Sequence, residues 1–330
     1  MKNHIFISLT LFFALLQFAQ AQPVPNKDTA WTKDLWPETI TGAKFTPDGS
    51  KIVVTTMEKI RVYDTETGEV LKYYDVSNIT NNIGCMDLHP GGRYIVTGDL
   101  SKTLIWDLET GDTIKSLNIV PYPVKYSADG NEILINYDYK EGFNSYSRIL
   151  KWNLITGDTT PKVVKAVIYA MNISKDGRYF ATGEDYPYCF LHLWDYQTMT
   201  DLANLGYHES RIQDIDFSAD GKYIASAGYD GYIKIWDIEN RNLYKSFNGD
   251  TEPTEIETVK FSPDSKFIVA GIRAGNNNTK IWNLEKDELI KRYPYGAFVD
   301  LDIDINAKYI IDIRGGDYSI YSMLIGSQVM

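Results

Sequence analysis

The chain of 330 residues offers one trio with the makings of nucleophilic catalysis: His208, Ser226 and Asp230. A serine polarised by an imidazole, itself oriented by a carboxylate, can attack a carbonyl carbon. The surrounding sequence argues against that use. Ser226 lies on the second strand of its repeat, Asp230 in the turn after it, and Trp236 on the third strand. Neither a nucleophile elbow nor an oxyanion hole is legible around Ser226. Asp300, Asp302 and Asp304 suggest a calcium loop, but such a loop needs a central glycine and an acid at its twelfth position, here Ile311. They alternate with Val299, Leu301, Ile303 and Ile305. That puts three carboxylates on one side of a strand, about 7 Å apart, facing solvent or a channel. His89, His192 and His208 lack the spacing of metal ligands. Gly275 to Asn278 is a turn-forming run rather than a phosphate cradle. The expectation is no catalytic residue, no metal and no cofactor.

What must position these residues is a repeat. The stretch Ser218 to Asp237 reads SADGKYIASAGYDGYIKIWD: a polar turn, an apolar strand, a second turn, and an alternating strand ending in Trp-Asp. The strand-ending aromatic recurs at Tyr63, Trp106, Trp152, Trp194, Trp236, Trp282 and Tyr321. The turn recurs at Asp48-Gly49, Gly91-Gly92, Asp129-Gly130, Asp176-Gly177, Asp220-Gly221, Asp264-Ser265 and Asn306-Ala307. Two independent markers return about every 40 to 46 residues, the period of a β-propeller blade. The expected fold is all-β: a seven-bladed β-propeller of four-stranded blades.

On FTPDGSKIVV, SADGKYIASAG and FSPDSKFIVAG for the first turn and strand, and LIWDLETG, HLWDYQT, KIWDIEN and KIWNLEK for the third strand, the chain resembles the WD40 repeat family. It departs from the family's pattern in lacking the Gly-His pair that opens most repeats; Gly206-Tyr207-His208 comes nearest. The resemblance implies that His208, Ser226, Asp230 and Trp236 form a structural hydrogen-bond network within one blade, and that the molecule is an interaction module rather than an enzyme.

Ring closure is also legible. The strand after the aromatic slot carries a lysine at Lys72, Lys115, Lys245 and Lys291, where a charge would keep a free outer edge from pairing with other chains. The last repeat lacks this strand. Thr32-Lys33-Asp34-Leu35 fits its template, so an N-terminal strand is expected to complete the last blade. A further slot runs Lys44, Asp87, Lys125, Asn172, Asp216, Lys260 and Asp302 around the inner strands. Its charges nearly cancel, which favours a pairing network over a ligand channel.

Residues 1–21 read as a signal peptide: Lys2, an apolar run from Ile5 to Phe18, and Ala19-Gln20-Ala21 as the cleavage site. The run is short for a membrane span. A short segment, 22–30, precedes a single propeller domain, 31–330, and the expected location is periplasmic or extracellular. The net charge of −11 repels phosphate backbones and disfavours nucleic acid. Cys85 and Cys189 fall in blades 2 and 4, too far apart for a disulfide.

Connections between second and third strands vary in length, and variable loops on a rigid scaffold are where binding concentrates. Blade 3 inserts Tyr137 to Ser147 and blade 4 inserts Gly183 to Phe190. Their tyrosines and phenylalanine (Tyr137, Tyr139, Phe143, Tyr146, Tyr186 and Tyr188) are the expected binding residues. The function expected is an exported, non-catalytic, monomeric scaffold for a protein partner. The alternatives are a propeller that binds glycan or the envelope surface and an exported propeller hydrolase or lactonase.

Overall fold

The computed structural model describes residues 29–35, 37–141, 144–185, 187–248, 254–273, 278–293, 300–313 and 319–324. Residues 1–21, read from the sequence as a signal peptide, lie outside them. Among the described residues no helix is long and apolar enough to cross a membrane.

Strand β1 spans Thr29–Asp34. Six blades of four consecutive strands follow. The first holds β2 (Ile40–Phe45), β3 (Lys51–Thr56), β4 (Lys59–Asp64) and β5 (Val70–Asp75). The second holds β6 (Cys85–Leu88), β7 (Tyr94–Gly98), β8 (Thr103–Asp107) and β9 (Thr113–Leu117). The third holds β10 (Val124–Tyr126), β11 (Glu132–Glu141), β12 (Asn144–Asn153) and β13 (Thr159–Val164). The fourth holds β14 (Ile168–Ile173), β15 (Tyr179–Glu184), β16 (Phe190–Asp195) and β17 (Thr200–Tyr207). The fifth holds β18 (Ile212–Phe217), β19 (Tyr223–Gly228), β20 (Tyr232–Asp237) and β21 (Asn242–Asn248). The sixth holds β22 (Glu255–Phe261), β23 (Phe267–Arg273), β24 (Asn278–Asn283) and β25 (Glu288–Tyr293).

The remaining strands, β26 (Asp300–Ile303), β27 (Tyr309–Ile313) and β28 (Ser319–Leu324), join β1 in a composite sheet of order β1-β28-β27-β26. The blade count expected from the sequence is corrected accordingly: the chain builds six blades from consecutive strands, not seven. The physical reason is that an outer strand must hydrogen-bond to its neighbour, and β28 takes that neighbour from the other end of the chain, with Thr32 opposite Tyr321 and Asp34 opposite Ser319. The inner strands β2, β6, β10, β14, β18, β22 and β26 each contact the next, and β26 contacts β2, so the sheets close a ring around a channel.

The core lies between sheets rather than within them. Trp236 packs with Leu191 and Leu193 of the fourth blade. Trp282 packs with Ile233 and Ile235 of the fifth, and Trp106 with Val53 and Val62 of the first. Tyr63 faces Tyr309 and Ile311 of the composite sheet. Each of these four aromatics therefore seals one gap between neighbours. In five blades the ladder slips by one residue immediately before that aromatic, at Val62/Tyr63, Ile105/Trp106, Leu193/Trp194, Ile235/Trp236 and Ile281/Trp282. A bulge re-aims the side chain it precedes, which turns the ring into the gap.

The turn slot serves as a second fastening. Asp48, Asp129, Asp176, Asp220 and Asp264 each accept a hydroxyl from the residue two positions earlier, at 2.6–2.7 Å. The second slot residue is left-handed throughout, even as Ser265 (φ 63) and Ala307 (φ 53), where a glycine would relieve backbone strain. The outer-strand lysines need a correction. Lys72 donates to the Glu109 carbonyl (3.2 Å), Lys245 to that of Leu284 (2.8 Å), and Lys115 to that of Leu154. Each reaches a turn carbonyl in the next blade, so the charge ties blades together as well as blunting an edge.

One local ion pair makes the fold acid-sensitive. Glu38, just before β2, accepts both guanidinium nitrogens of Arg61 at 2.7 Å and the Lys59 ammonium at 2.6 Å. The Arg61 guanidinium, then Lys59, hold its carboxyl down to about 2 against the opposing effect of burial. A depressed carboxylate stabilises the fold above its ordinary range, and that contribution fades as pH falls toward the folded value. Glu38→Gln is therefore expected to cost about 1–2 kcal/mol at pH 7 and to flatten the loss of stability between pH 4.5 and 2. Urea midpoints measured across that range check this, and parallel curves for the two proteins would refute it.

Candidate interaction face

The trio that resembles a hydrolase is buried. Among the described residues the donors can be assigned in one direction. Trp236 Nε1–H donates to Ser226 Oγ (2.9 Å), and His208 bridges Ser226 Oγ (2.7 Å) and Asp230 Oδ1 (2.9 Å). The carboxylate only accepts, so Nδ1–H of His208 donates to it and Nε2 accepts the serine proton. Burial pushes the imidazole's pKa below its ordinary value despite Asp230, which keeps the ring neutral as this chain of bonds requires. Ser226 and His208 are 0% and 1% exposed. No substrate reaches a serine that the indole covers on one side and the imidazole on another. The same Trp-to-hydroxyl bond recurs at Trp106–Thr97 and Trp194–Thr182, both 2.8 Å.

The acidic row is also structural. Asp300 and Asp302 accept the backbone N–H groups of Ala43 (3.1 Å) and Phe45 (2.9 Å) on β2. Asp304 accepts those of Asn306 (3.0 Å) and Tyr309 within its own turn. Among the described residues no group of His, Cys, Asp and Glu has the arrangement of a metal site. Cys85 and Cys189 are both free, and burial pushes the Cys85 thiol up to about 12, which leaves it unreactive.

The face that carries the connections between second and third strands is different. Among those of the six expected binding residues whose side chains are described, Tyr188 is the exposed one, at 60%, and it stacks parallel on Phe190 with ring centroids 6.0 Å apart. Tyr137 and Tyr146 are half-buried. The side chains of Tyr139, Phe143 and Tyr186 lie outside those described. The blade 3 insertion is not a loop: β11 and β12 pair without interruption from Glu132↔Asn153 to Glu141↔Asn144. Alternating Tyr and polar residues sustain a ladder, so the insertion lengthens the hairpin.

A second group on this face surrounds the channel mouth. Tyr122 and Tyr169 meet edge to face at 5.1 Å. The Arg211 guanidinium lies 4.1 Å from the Tyr169 ring centre and 4.9 Å from that of Tyr229, close enough for cation–π attraction to both. The Tyr229 hydroxyl donates to Glu257 (3.1 Å) and accepts from Gln213 (2.8 Å), and Arg273 reaches the same carboxylate at 3.3 Å. Burial, then the Glu257 carboxylate, pushes the Tyr229 phenol up to about 12. Exposed Tyr122 (44%), Tyr207 (56%) and Tyr232 (39%) extend the surface outward. Its signal in the sequence lay three residues before the channel slot, at Tyr122, Tyr169, Gln213 and Glu257.

Comparison with known proteins agrees with this geometry. Residues 71–107, 199–237 and 241–283 match the family model described as WD domain, G-beta repeat. Three of the repeats thus match the WD40 model. The β-propeller domain of Cps50 (Swd1) from Myceliophteria thermophila superposes with a TM-score of 0.74, covering 89% of this chain and 98% of that domain at 13% identity. WD repeat-containing protein SL1-17 of Schistosoma mansoni is 29% identical over 104 residues, which are 32% of this chain and 34% of that protein. Human pre-mRNA-processing factor 17 is 26% identical over 183 residues, 53% of this chain and 30% of that protein. The matched part is thus about a third of these relatives' length.

Proposed function

We propose that this WD40-type propeller is an exported, non-catalytic scaffold that holds a protein partner on the face bearing Tyr122, Tyr188, Tyr207 and Tyr232. The supporting observation is the contrast between two sets of polar residues. The Ser–His–Asp trio is sealed inside a blade, whereas the tyrosines stand exposed around a braced Arg211 at the channel mouth. Exposed tyrosines supply large contact area at small conformational cost, and the bracing bonds pre-organise that surface. The kinship with WD-repeat proteins supports a protein partner over other classes, and the N-terminal apolar run with its Ala19-Gln20-Ala21 site supports export.

Affinity purification from the exported fraction tests this reading, with the wild type beside a Tyr122→Ala/Tyr188→Ala/Tyr232→Ala variant. The expected result is a protein recovered at least tenfold better with the wild type, on a chain whose mature N-terminus is Gln22. Equal recovery by both would remove the partner from this face. Recovery of a glycan alone would replace the protein partner with a carbohydrate.

A further inference from the structure

The channel mouth on the opposite face, among the turns between first and second strands, holds four lysines around a cavity of about 190 Å³: Lys44, Lys125, Lys175 and Lys260. Two carboxylates share the lining, and both are already engaged. Asp216 accepts from Phe261 N (2.8 Å) and Asn172 Nδ2 (3.1 Å), and Asp302 accepts from Phe45 N (2.9 Å). Lys260 is held by Asp214 at 2.6 Å, and Lys44 stands 3.6 Å from Asp87. Among the described residues Lys125 and Lys175 make no hydrogen bond or ion pair. Lys125 also lies within reach of the charges of Lys44 and Lys260 and of the Asp87 and Asp214 carboxylates, which are themselves engaged by Tyr126 N and by Val259 N and Lys260.

The nearly balanced ring read from the sequence is therefore unbalanced at this end. The aspartates turn toward backbone N–H groups of neighbouring blades, and ammonium charge is left facing the cavity. Burying a cation at Lys125 without a direct hydrogen-bond partner costs free energy. An anion in the cavity would recover it through charge-assisted hydrogen bonds. We propose that this mouth is a binding site for a small phosphate-class oxyanion, held chiefly by Lys125 and Lys175, with Lys44 and Lys260 supplying further positive field. The net charge of −11 repels large polyanions at long range, which restricts the site to small ones.

Thermal melts at pH 7 and fixed ionic strength, with inorganic phosphate exchanged for chloride, test the proposal. The wild type is expected to gain at least about 2 °C in Tm at saturating phosphate. The gain should vanish in Lys125→Met and fall in Lys175→Met, whose side chain is exposed, so that its replacement leaves the packing intact. In phosphate-free buffer Lys125→Met should melt no lower than wild type, because it removes an unpaired cation. A parallel arm with a phosphoserine peptide separates a free ion from a phosphorylated chain, and the arm with the larger gain identifies the source. An equal Tm in chloride and phosphate would overturn the site, as would a Lys175→Met protein that responds in full.

Discussion

Trp236→Ala is expected to lower the free energy of unfolding by about 3–5 kcal/mol, and Ser226→Ala by about 1–3 kcal/mol. Two separate effects combine at Trp236. Its ring fills the gap between the fourth and fifth blades against Leu191, Leu193 and Ala181. A Cβ at Gly206, which has φ 144, would come within 2.5 Å of the same ring, so the fourth blade's outer strand is shaped to admit the indole. Its removal leaves a cavity that stiff sheets cannot collapse to fill. The second effect is polar. Loss of the Ser226 hydroxyl strands both the indole N–H and His208 Nε2 without a partner in a fully buried place, the costly half of hydrogen-bond energetics. The two changes share a bond, so the double variant should lose less than the sum of the singles. Urea midpoints for the two singles and the double at pH 7 measure this. Strict additivity, or a Ser226→Ala midpoint equal to wild type, would contradict the network. A Ser226→Ala protein of full stability that had lost an esterase activity would return the trio to catalysis.

How much of this was legible in the sequence follows from where side-chain periodicity holds. The slot aromatics and turn aspartates could be read because each repeat places them at a fixed distance from a strand end. Ser265 and Ala307 keep the left-handed conformation of that slot without a glycine. Tyr169, Gln213 and Glu257 were not read, because a bulge interrupts the alternation just where they lie. The inner strands slip at Ile168/Ala170, Ile212/Asp214 and Ile256/Thr258. An extra residue in the ladder reverses which positions face the channel, so Tyr169 and Glu257 stand three residues from their slot rather than two. Arg211 was invisible for a different reason. Its role depends on rings from two blades, Tyr169 and Tyr229, and no local pattern records a contact between repeats. The same limit hid the reach of Lys72 and Lys245 into the next blade, which sequence alone presents only as edge charges.

Deletion of residues 28–36 is expected to cost at least about 4 kcal/mol and to make the protein self-associate. Strand β1 does more than complete a sheet. Its Trp31 stacks on Tyr63 of the first blade at 6.0 Å and 28°, and donates its indole N–H to the Thr65 carbonyl at 2.8 Å. The contact repeats what Lys72 and Lys245 do elsewhere, a reach from an outer strand to a turn carbonyl of the next blade. Here it joins the composite sheet to the first blade and so closes the ring. The estimate sums about 3 kcal/mol for a large aromatic leaving a packed site and about 1 kcal/mol for the indole hydrogen bond; the lost backbone ladder adds to it. Without β1 the outer edge of β28 is unpaired, and a bare edge recruits other chains. Gly68→Ala offers a gentler version of the same test. The glycine has φ 67, and a Cβ there would meet Trp31 at 2.6 Å, so the substitution should displace the indole and cost part of the deletion's effect. Urea midpoints with light scattering on both variants decide the matter. A monomeric deletion variant with a wild-type midpoint would show that the inner strands alone hold the ring, through the bonds from Asp300 and Asp302 to β2. A graded loss, small for Gly68→Ala and large for the deletion, would place the closure at the outer rim.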